Sequence, residues 1–203
     1  VGLRSIFNLI GPLVNPAGAT SQVLGVYNVA HTEKMARVLQ RLGIRTAFVV
    51  CGEVTFDEIS ICGITRISQL KDGAIKTVEM TPEDHGFKRS APEAIKGGDA
   101  DENAAIIRGI LAGQKGPQRD VVLLNAAAAF VSAGFDSDFK GGIQRAVGVV
   151  ADQPEVGVAG ARHQDLAVIL HGDAVTGIGA PANINSNAAV AAEAGVETAV
   201  GIV

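Results

Sequence analysis

The chain has 203 residues, 47% of them hydrophobic and 19% charged, with a formal net charge of -4. That balance excludes a disordered chain, and without any Lys/Arg block it argues against a nucleic-acid surface. Aromatic residues are only 4% and Trp is absent, so aliphatics and alanine must fill the core, which favours helices packed closely on a sheet.

The first stretch, IFNLIGPLVNPAG over residues 6–18, puts Leu9, Ile10, Leu13 and Val14 on a backbone broken by Gly11, Pro12, Pro16 and Gly18. That punctuation rules out a regular helix or strand and leaves a rigid apolar loop. QVLGVY (22–27) reads as a buried strand. A helix is expected over 32–43, with Thr32 as N-cap, Gly43 at C′ and Met35, Val38, Leu39 and Leu42 on one apolar face. TAFVVCG (46–52), a short apolar run closed by glycine, reads as an interior strand. Strand, helix and strand together make a parallel crossover unit.

ISQLKDGAIKTVEM alternates apolar and polar residues around Asp72-Gly73, the signal of a hairpin. Three helices are expected next. One starts near Asp101 and turns Ala104, Ile107, Ile110 and Leu111 inward; the second, DVVLLNAAAAFVSAG (120–134), is apolar nearly all round and so buried; the third lies roughly over 143–151. After Pro154 the texture changes. PEVGVAGARHQD reads as a linker, LAVILHG (166–172) as a buried strand, TGIGAPANIN as a Gly-rich turn, SNAAVAAEAG as a helix and ETAVGIV as a closing strand. The expected organisation is an α/β region over 1–152, a linker over 153–165, and a strand-loop-helix-strand unit over 166–203 that completes the same domain.

Cys51 and Cys62 are the only cysteines. Two thiols point to a reducing compartment, hence the cytoplasm, with one disulfide left open. There is no 18-residue uninterrupted apolar run, so no membrane span is expected. No signal peptide is visible, and a start of Val-Gly-Leu without Met fits a processed protein or a fragment.

Chemistry concentrates in two loops. GEVTFDEIS (52–60) follows the TAFVV strand, at the end where open α/β sheets hold ligands. On a loop, Asp57 and Glu58 can both face one site as hard oxygen ligands for Mg²⁺. The competing reading is a solvated acidic turn, the commoner outcome for adjacent acids. In TGIGAPANINSNAAV (176–190), Gly177 and Gly179 let the backbone come close to a ligand. Asn185 or Ser186 would cap a helix whose N-terminal N–H groups can hold a phosphate; an ordinary βα turn is the alternative. His31, His85, His163 and His171 have no metal-ligand spacing and read as surface, capping or packing residues, and Cys51 as a small core residue.

LRSIFNLIGPLVNPAG followed by QVLGVY closely resembles the anthranilate phosphoribosyltransferases. The resemblance continues in order through LGIRTAFVVCGEVTFDEIS, TPEDHGF, KGGDADENAAIIRGILAG and RDVVLLNAAAAFVSAG, covering about residues 1–151. It implies an α/β fold: a mixed, largely parallel sheet flanked by helices, like that family's catalytic domain without its N-terminal helical part. It also implies transfer of the phosphoribosyl group of phosphoribosyl pyrophosphate to the amine of anthranilate, in tryptophan biosynthesis, with Mg²⁺ assisting as pyrophosphate leaves. By the same resemblance Asp57 and Glu58 handle the metal. Gly11, Pro12 and Leu13 stand at the G-P-L turn that lines the aromatic acceptor's pocket, with Asn8 tying that loop down; a packed connection between helix and strand is the alternative. The implied partners are the two substrates, with neither nucleic acid nor membrane.

The resemblance also has departures. The family's N-terminal helical part, with much of its dimer contact, has no counterpart, so a homodimer is left open without support. The G-T-G-G-D, N-x-S-T and K-H-G segments do not precede the G-P-L turn here, and Arg4 is not assigned the role of the acceptor-binding Arg expected upstream of it. The tail DAVTGIGAPANINSNAAVAAEAGVETAVGI faintly resembles the missing glycine-loop segment but stands after the matching region. It reads either as a permuted or designed rearrangement, which would bring Gly177, Gly179, Asn185 and Ser186 to the pyrophosphate, or as chance likeness between two βα units. Two functions follow: a phosphoribosyltransferase of the anthranilate type, active or impaired, or a non-catalytic truncated, permuted or designed module of that fold.

Overall fold

A computed structural model describes residues 13, 19–151 and 200–202. Five strands form one sheet in the order β4-β3-β2-β1-β5: β1 Ser21–Gly25, β2 Thr46–Gly52, β3 Thr65–Lys71, β4 Ala74–Met80 and β5 Val200–Ile202. β1 pairs in parallel with β2 and β5, while β3 runs antiparallel to β2 and to β4. Four strands therefore point one way and only β3 opposes them, the mixed and largely parallel sheet that was expected. β5 aligns Val200 with Ser21 and Ile202 with Val23, so the end of the chain returns to this sheet.

Alternation along the strands splits the core into two layers. Val23, Phe48, Val50 and Ile67 face Val121, Leu124, Ala128 and Ala129 of helix α3 (Pro117–Ser132). Leu24, Ala47, Val49, Cys51 and Leu70 face Met35, Ala36 and Leu39 of helix α1 (Thr32–Arg41). β2 is covered on both faces, which is why TAFVVCG reads as an unbroken apolar run. Helix α4 (Phe139–Ala151) packs on α3. An added Cβ at Gly142 would lie 2.8 Å from the carbonyl oxygen of Ala127, so glycine on one helix and alanine on the other set the close approach.

The crossover between β1 and β2 differs in detail from its sequence reading. Thr32 is the first residue of α1 and not its N-cap. Its hydroxyl donates to the Val29 carbonyl at 3.0 Å and accepts from Ser68 Oγ of β3 at 3.0 Å, so it ties helix to sheet. Capping falls to Asn28, whose Oδ1 accepts from Ala30 N–H at 2.9 Å and starts a 3₁₀ turn, Val29–His31. Gly43 does stand at C′ with φ of 85°. The Ile44 N–H reaches the Leu39 carbonyl and the Gly43 N–H that of Gln40, a Schellman closure. Leu42 is 56% exposed, because the helix has ended there and its side chain leaves the apolar face.

The hairpin turns at Asp72 and Gly73, with φ of 50° and 75°, the pair of left-handed residues a two-residue loop needs. Helix α2 (Ala100–Leu111) opens with a reciprocal capping box: Glu102 N–H to Asp99 Oδ1 at 2.9 Å, and Asp99 N–H to Glu102 Oε2 at 3.0 Å. Its Ile107 is 40% exposed and not inward; the buried residue on this helix is Asn103, whose side chain pairs with both backbone groups of Gly98. α3 starts three residues earlier than its apolar pattern, at Pro117, and α4 starts at Phe139. No helix among the described residues is long and apolar enough to cross a membrane. The expected linker over 153–165 lies outside the described residues, as does the unit over 166–203 apart from β5.

Candidate metal-binding loop

β1 ends at Gly25 and β2 at Gly52, both at the carboxyl edge of the parallel strands. Between β2 and β3 the chain makes the loop of residues 53–64, which carries Asp57 and Glu58. The loop folds back on its own strand. Gly52 N–H donates to the Phe56 carbonyl at 2.6 Å and Phe56 N–H to the Gly52 carbonyl at 2.9 Å. Two residues accept left-handed backbone to make this reversal: Val54 at φ 72° and Phe56 at φ 61°. Such angles cost a β-branched or bulky residue about 1–3 kcal/mol each, and both side chains stand exposed.

Glycines make room for the loop. A Cβ at Gly25 would overlap the backbone carbonyl of Asp57, so the Asp57 peptide rests directly on the end of β1. A Cβ at Gly52 would meet the Glu58 carbonyl oxygen at 2.5 Å and Thr55 Oγ1 at 2.6 Å. Farther along, Ser60 Oγ donates to the Glu53 carbonyl at 2.7 Å and accepts from Cys62 N–H at 3.0 Å, while Ser60 N–H donates to Thr65 Oγ1 at 2.9 Å. Ile59 is held from outside the loop: its N–H donates to Asn125 Oδ1 at 2.9 Å and its carbonyl accepts from Asn125 Nδ2 at 3.0 Å.

The two acids differ in setting. Asp57 is exposed and Glu58 half-buried. Burial and then the neighbouring charge of Asp57 push the Glu58 carboxyl up to about 7. Burial, with Asp57 beyond it, also raises the Cys51 thiol, and burial with Glu58 and Glu93 raises that of Cys62. Both thiols are free, and Cys51 is a core residue as expected. A half-buried carboxylate beside a second one, both on hard oxygen atoms, is a donor set that a divalent cation relieves and that suits Mg²⁺. Among the described residues no group of three or more His, Cys, Asp or Glu side chains converges. Mg²⁺ commonly takes one or two carboxylates and fills its sphere with water and phosphate oxygens, so the pair fits that ion.

Of the other expected site residues, Leu13 is half-buried and packs against the apolar layer between the sheet and α1. Asn8, Gly11 and Pro12 lie outside the described residues, as do Gly177, Gly179, Asn185 and Ser186. His85 stacks on Phe139 at 5.0 Å and His31 packs edge-on to Tyr27 at 5.2 Å; packing is one of the three roles, surface, capping or packing, expected of them. Gly25 and Asn125 were not singled out from the sequence. A glycine inside QVLGVY and a lone amide inside VVLLNAAAAF were the available signals. A separate cleft of 480 Å³ opens beside Phe48, Gln69, His85 and Phe139 on the α3–α4 face.

Residues 1–153 match the model of the glycosyl transferase family, a/b domain. The chain is 50% identical over 146 residues to the anthranilate phosphoribosyltransferase of Desulfatibacillum aliphaticivorans, covering 72% of this chain and 43% of that protein. It is 52% identical over 133 residues to the enzyme of Symbiobacterium thermophilum, covering 66% and 39%. Among solved structures, anthranilate phosphoribosyltransferase from Thermus thermophilus superposes with a TM-score of 0.68 at 43% identity, covering 75% of this chain and 45% of that one. The Saccharomyces cerevisiae enzyme in complex with PRPP and Mg gives 0.65 at 26% identity, covering 73% and 43%. The chain thus spans less than half the length of these relatives. A match over residues 1–153, the shared sheet and the ordered motifs agree: the chain belongs to the glycosyl transferase a/b-domain family, with anthranilate phosphoribosyltransferases as its relatives.

Proposed function

We propose that this chain carries the metal-binding part of a phosphoribosyltransferase site, in which Asp57 and Glu58 hold Mg²⁺ for the transfer of a phosphoribosyl group from phosphoribosyl pyrophosphate to anthranilate. The observation that carries the reading is the braced acidic loop at the carboxyl edge of β1 and β2, where open α/β sheets bind ligands. In this reaction the amine nitrogen forms its bond to the anomeric carbon of ribose as the bond to pyrophosphate breaks, pyrophosphate leaves with the bonding pair, and the nitrogen gives up one proton to solvent. When bound, the metal neutralises charge on the leaving pyrophosphate. The chain's own contribution is to fix two carboxylates beforehand, so that little reorganisation accompanies the reaction. The G-P-L turn, with Gly11, Pro12 and Leu13 and with Asn8 behind it, gives a rigid apolar wall for the flat acceptor, while Gly177, Gly179, Asn185 and Ser186 serve the phosphates. Residues 166–203 complete the same domain, a reading supported by the pairing of β5 with β1. The protein works in the cytoplasm.

A second reading has its own support. Among the described residues no group of three or more His, Cys, Asp or Glu side chains is placed to hold a metal ion, and a pair of acids alone also serves a module that binds metal and phosphate weakly without turnover. A thermal-shift titration separates the readings from no binding at all. Phosphoribosyl pyrophosphate with Mg²⁺ should raise Tm by mass action, by about 2.7 kcal/mol of stability at a hundredfold excess over Kd. Asp57→Asn with Glu58→Gln should remove the metal-dependent part. Turnover of anthranilate in the same sample marks the enzyme, a shift without turnover marks the module, and no shift at millimolar ligand contradicts both.

A further inference from the structure

The acidic loop is held by a residue 66 positions away from Ile59. Asn125 lies in the middle of α3 and is buried, the one amide in the run from Val121 to Phe130. Its side chain closes a two-point clamp on Ile59, accepting from the N–H at 2.9 Å and donating to the carbonyl at 3.0 Å. A third hydrogen bond, from Nδ2 to the Val121 carbonyl at 3.0 Å, fixes the amide on its own helix. Every polar atom of this side chain is thereby used. Ile59 is fully buried in the α3-side core and directly follows Glu58. Among the described residues no strand or helix backbone supplies hydrogen bonds to the Ile59 peptide groups, so the amide stands in for them. On the other side, the Asp57 peptide rests against Gly25.

We propose that Asn125 is a positioning residue for the Asp57–Glu58 pair: by clamping the Ile59 backbone to α3 it sets where the two carboxylates stand, and so sets the affinity of the loop for a divalent cation. The inference rests on the reading of that pair as the metal ligands. Two consequences follow from the geometry. Losing the clamp frees the peptide next to Glu58 while the sheet, joined by its own ladders, keeps its register. And a buried polar residue elsewhere on the same helix has no such effect. Ser132 is that control, buried on α3 and donating to the Gln22 carbonyl at 3.2 Å, near the opposite end of β1.

The test uses the full chain and Mn²⁺ alone as a paramagnetic probe of binding, together with amide hydrogen exchange. Asn125→Ala is expected to weaken Mn²⁺ binding at least fivefold and to speed exchange at Ile59 at least tenfold. Ser132→Ala is expected to leave both unchanged at matched fraction folded. If Asn125→Ala does not fold, Asn125→Leu carries the same test, because it keeps the volume of the buried amide and loses all three of its hydrogen bonds. Unchanged Mn²⁺ affinity in the Asn125 variant, or an equal loss in Ser132→Ala, overturns the inference while Asp57→Asn with Glu58→Gln still abolishes binding. Wild-type affinity in that double variant instead overturns the metal assignment, and this inference with it.

Discussion

The β3–β4 hairpin and the Asp57 loop both reverse the chain beside β3, and they do it by opposite means. The hairpin places its left-handed residues at Asp72 and Gly73, types that tolerate that backbone, with open space around the glycine. The loop puts left-handed backbone on Val54 and Phe56, which tolerate it poorly, and instead places its glycines, 25 and 52, where backbone meets backbone. One turn is specified by its own four residues. The other is strained locally and held by contacts from β1 and α3. Strain kept in place by distant residues is a mark of a functional segment, and here it surrounds two adjacent acids.

Substitutions can break this contrast. The largest effect is expected at Gly25. Alanine there must displace the Asp57 peptide, an overpacking against backbone that should cost about 3 kcal/mol or more in urea denaturation and should erase Mg²⁺-dependent stabilisation by phosphoribosyl pyrophosphate. Gly73→Ala has space and meets only the left-handed penalty, about 1–2 kcal/mol, with ligand stabilisation intact. Equal costs at the two glycines would remove the distinction between the turns.

Intermediate effects should come from relieving the strain. Val54→Gly and Phe56→Gly are each expected to raise stability by up to about 1 kcal/mol, because the side chains removed are exposed and the backbone angle then becomes permissible. Both should weaken metal binding as the loop loosens. A clear loss of stability in both would mean that the left-handed angles are not strained.

The smallest effect concerns pH and belongs to the hairpin side. Burial lowers the His85 pKa below its ordinary 6.5, opposed by Asp84. The unfolded chain then binds the proton more readily than the folded one. The contribution of this group is therefore constant above pH 6.5 and becomes destabilising as pH falls through 6.5 toward the folded value. His85→Gln should flatten that limb of the stability profile, and a steeper limb would show the assigned direction to be wrong.

The same contrast explains what could be read in the sequence. The strand from Thr46 to Gly52, the Asp72-Gly73 turn and the apolar helix through Leu124 are set by period and turn chemistry within a few residues, and they stand where they were expected. Leu42 and Ile107 fit the helical period yet face solvent, because period alone does not say where a neighbouring element stops. Thr32 looked like a cap, but its hydroxyl serves Ser68 across the fold. For the loop, the acids themselves were legible as a neighbouring pair. Their supports were not, since the Gly25–Asp57 and Asn125–Ile59 contacts join residues far apart in the chain.

The braced loop is proposed to present Asp57 and Glu58 to one divalent cation. The most direct measurement is an anomalous difference map from crystals of the protein soaked in Mn²⁺. A peak coordinated by carboxylate oxygens of both residues is expected, lost in Asp57→Asn with Glu58→Gln. A peak bound elsewhere, or none at either carboxylate, would contradict it.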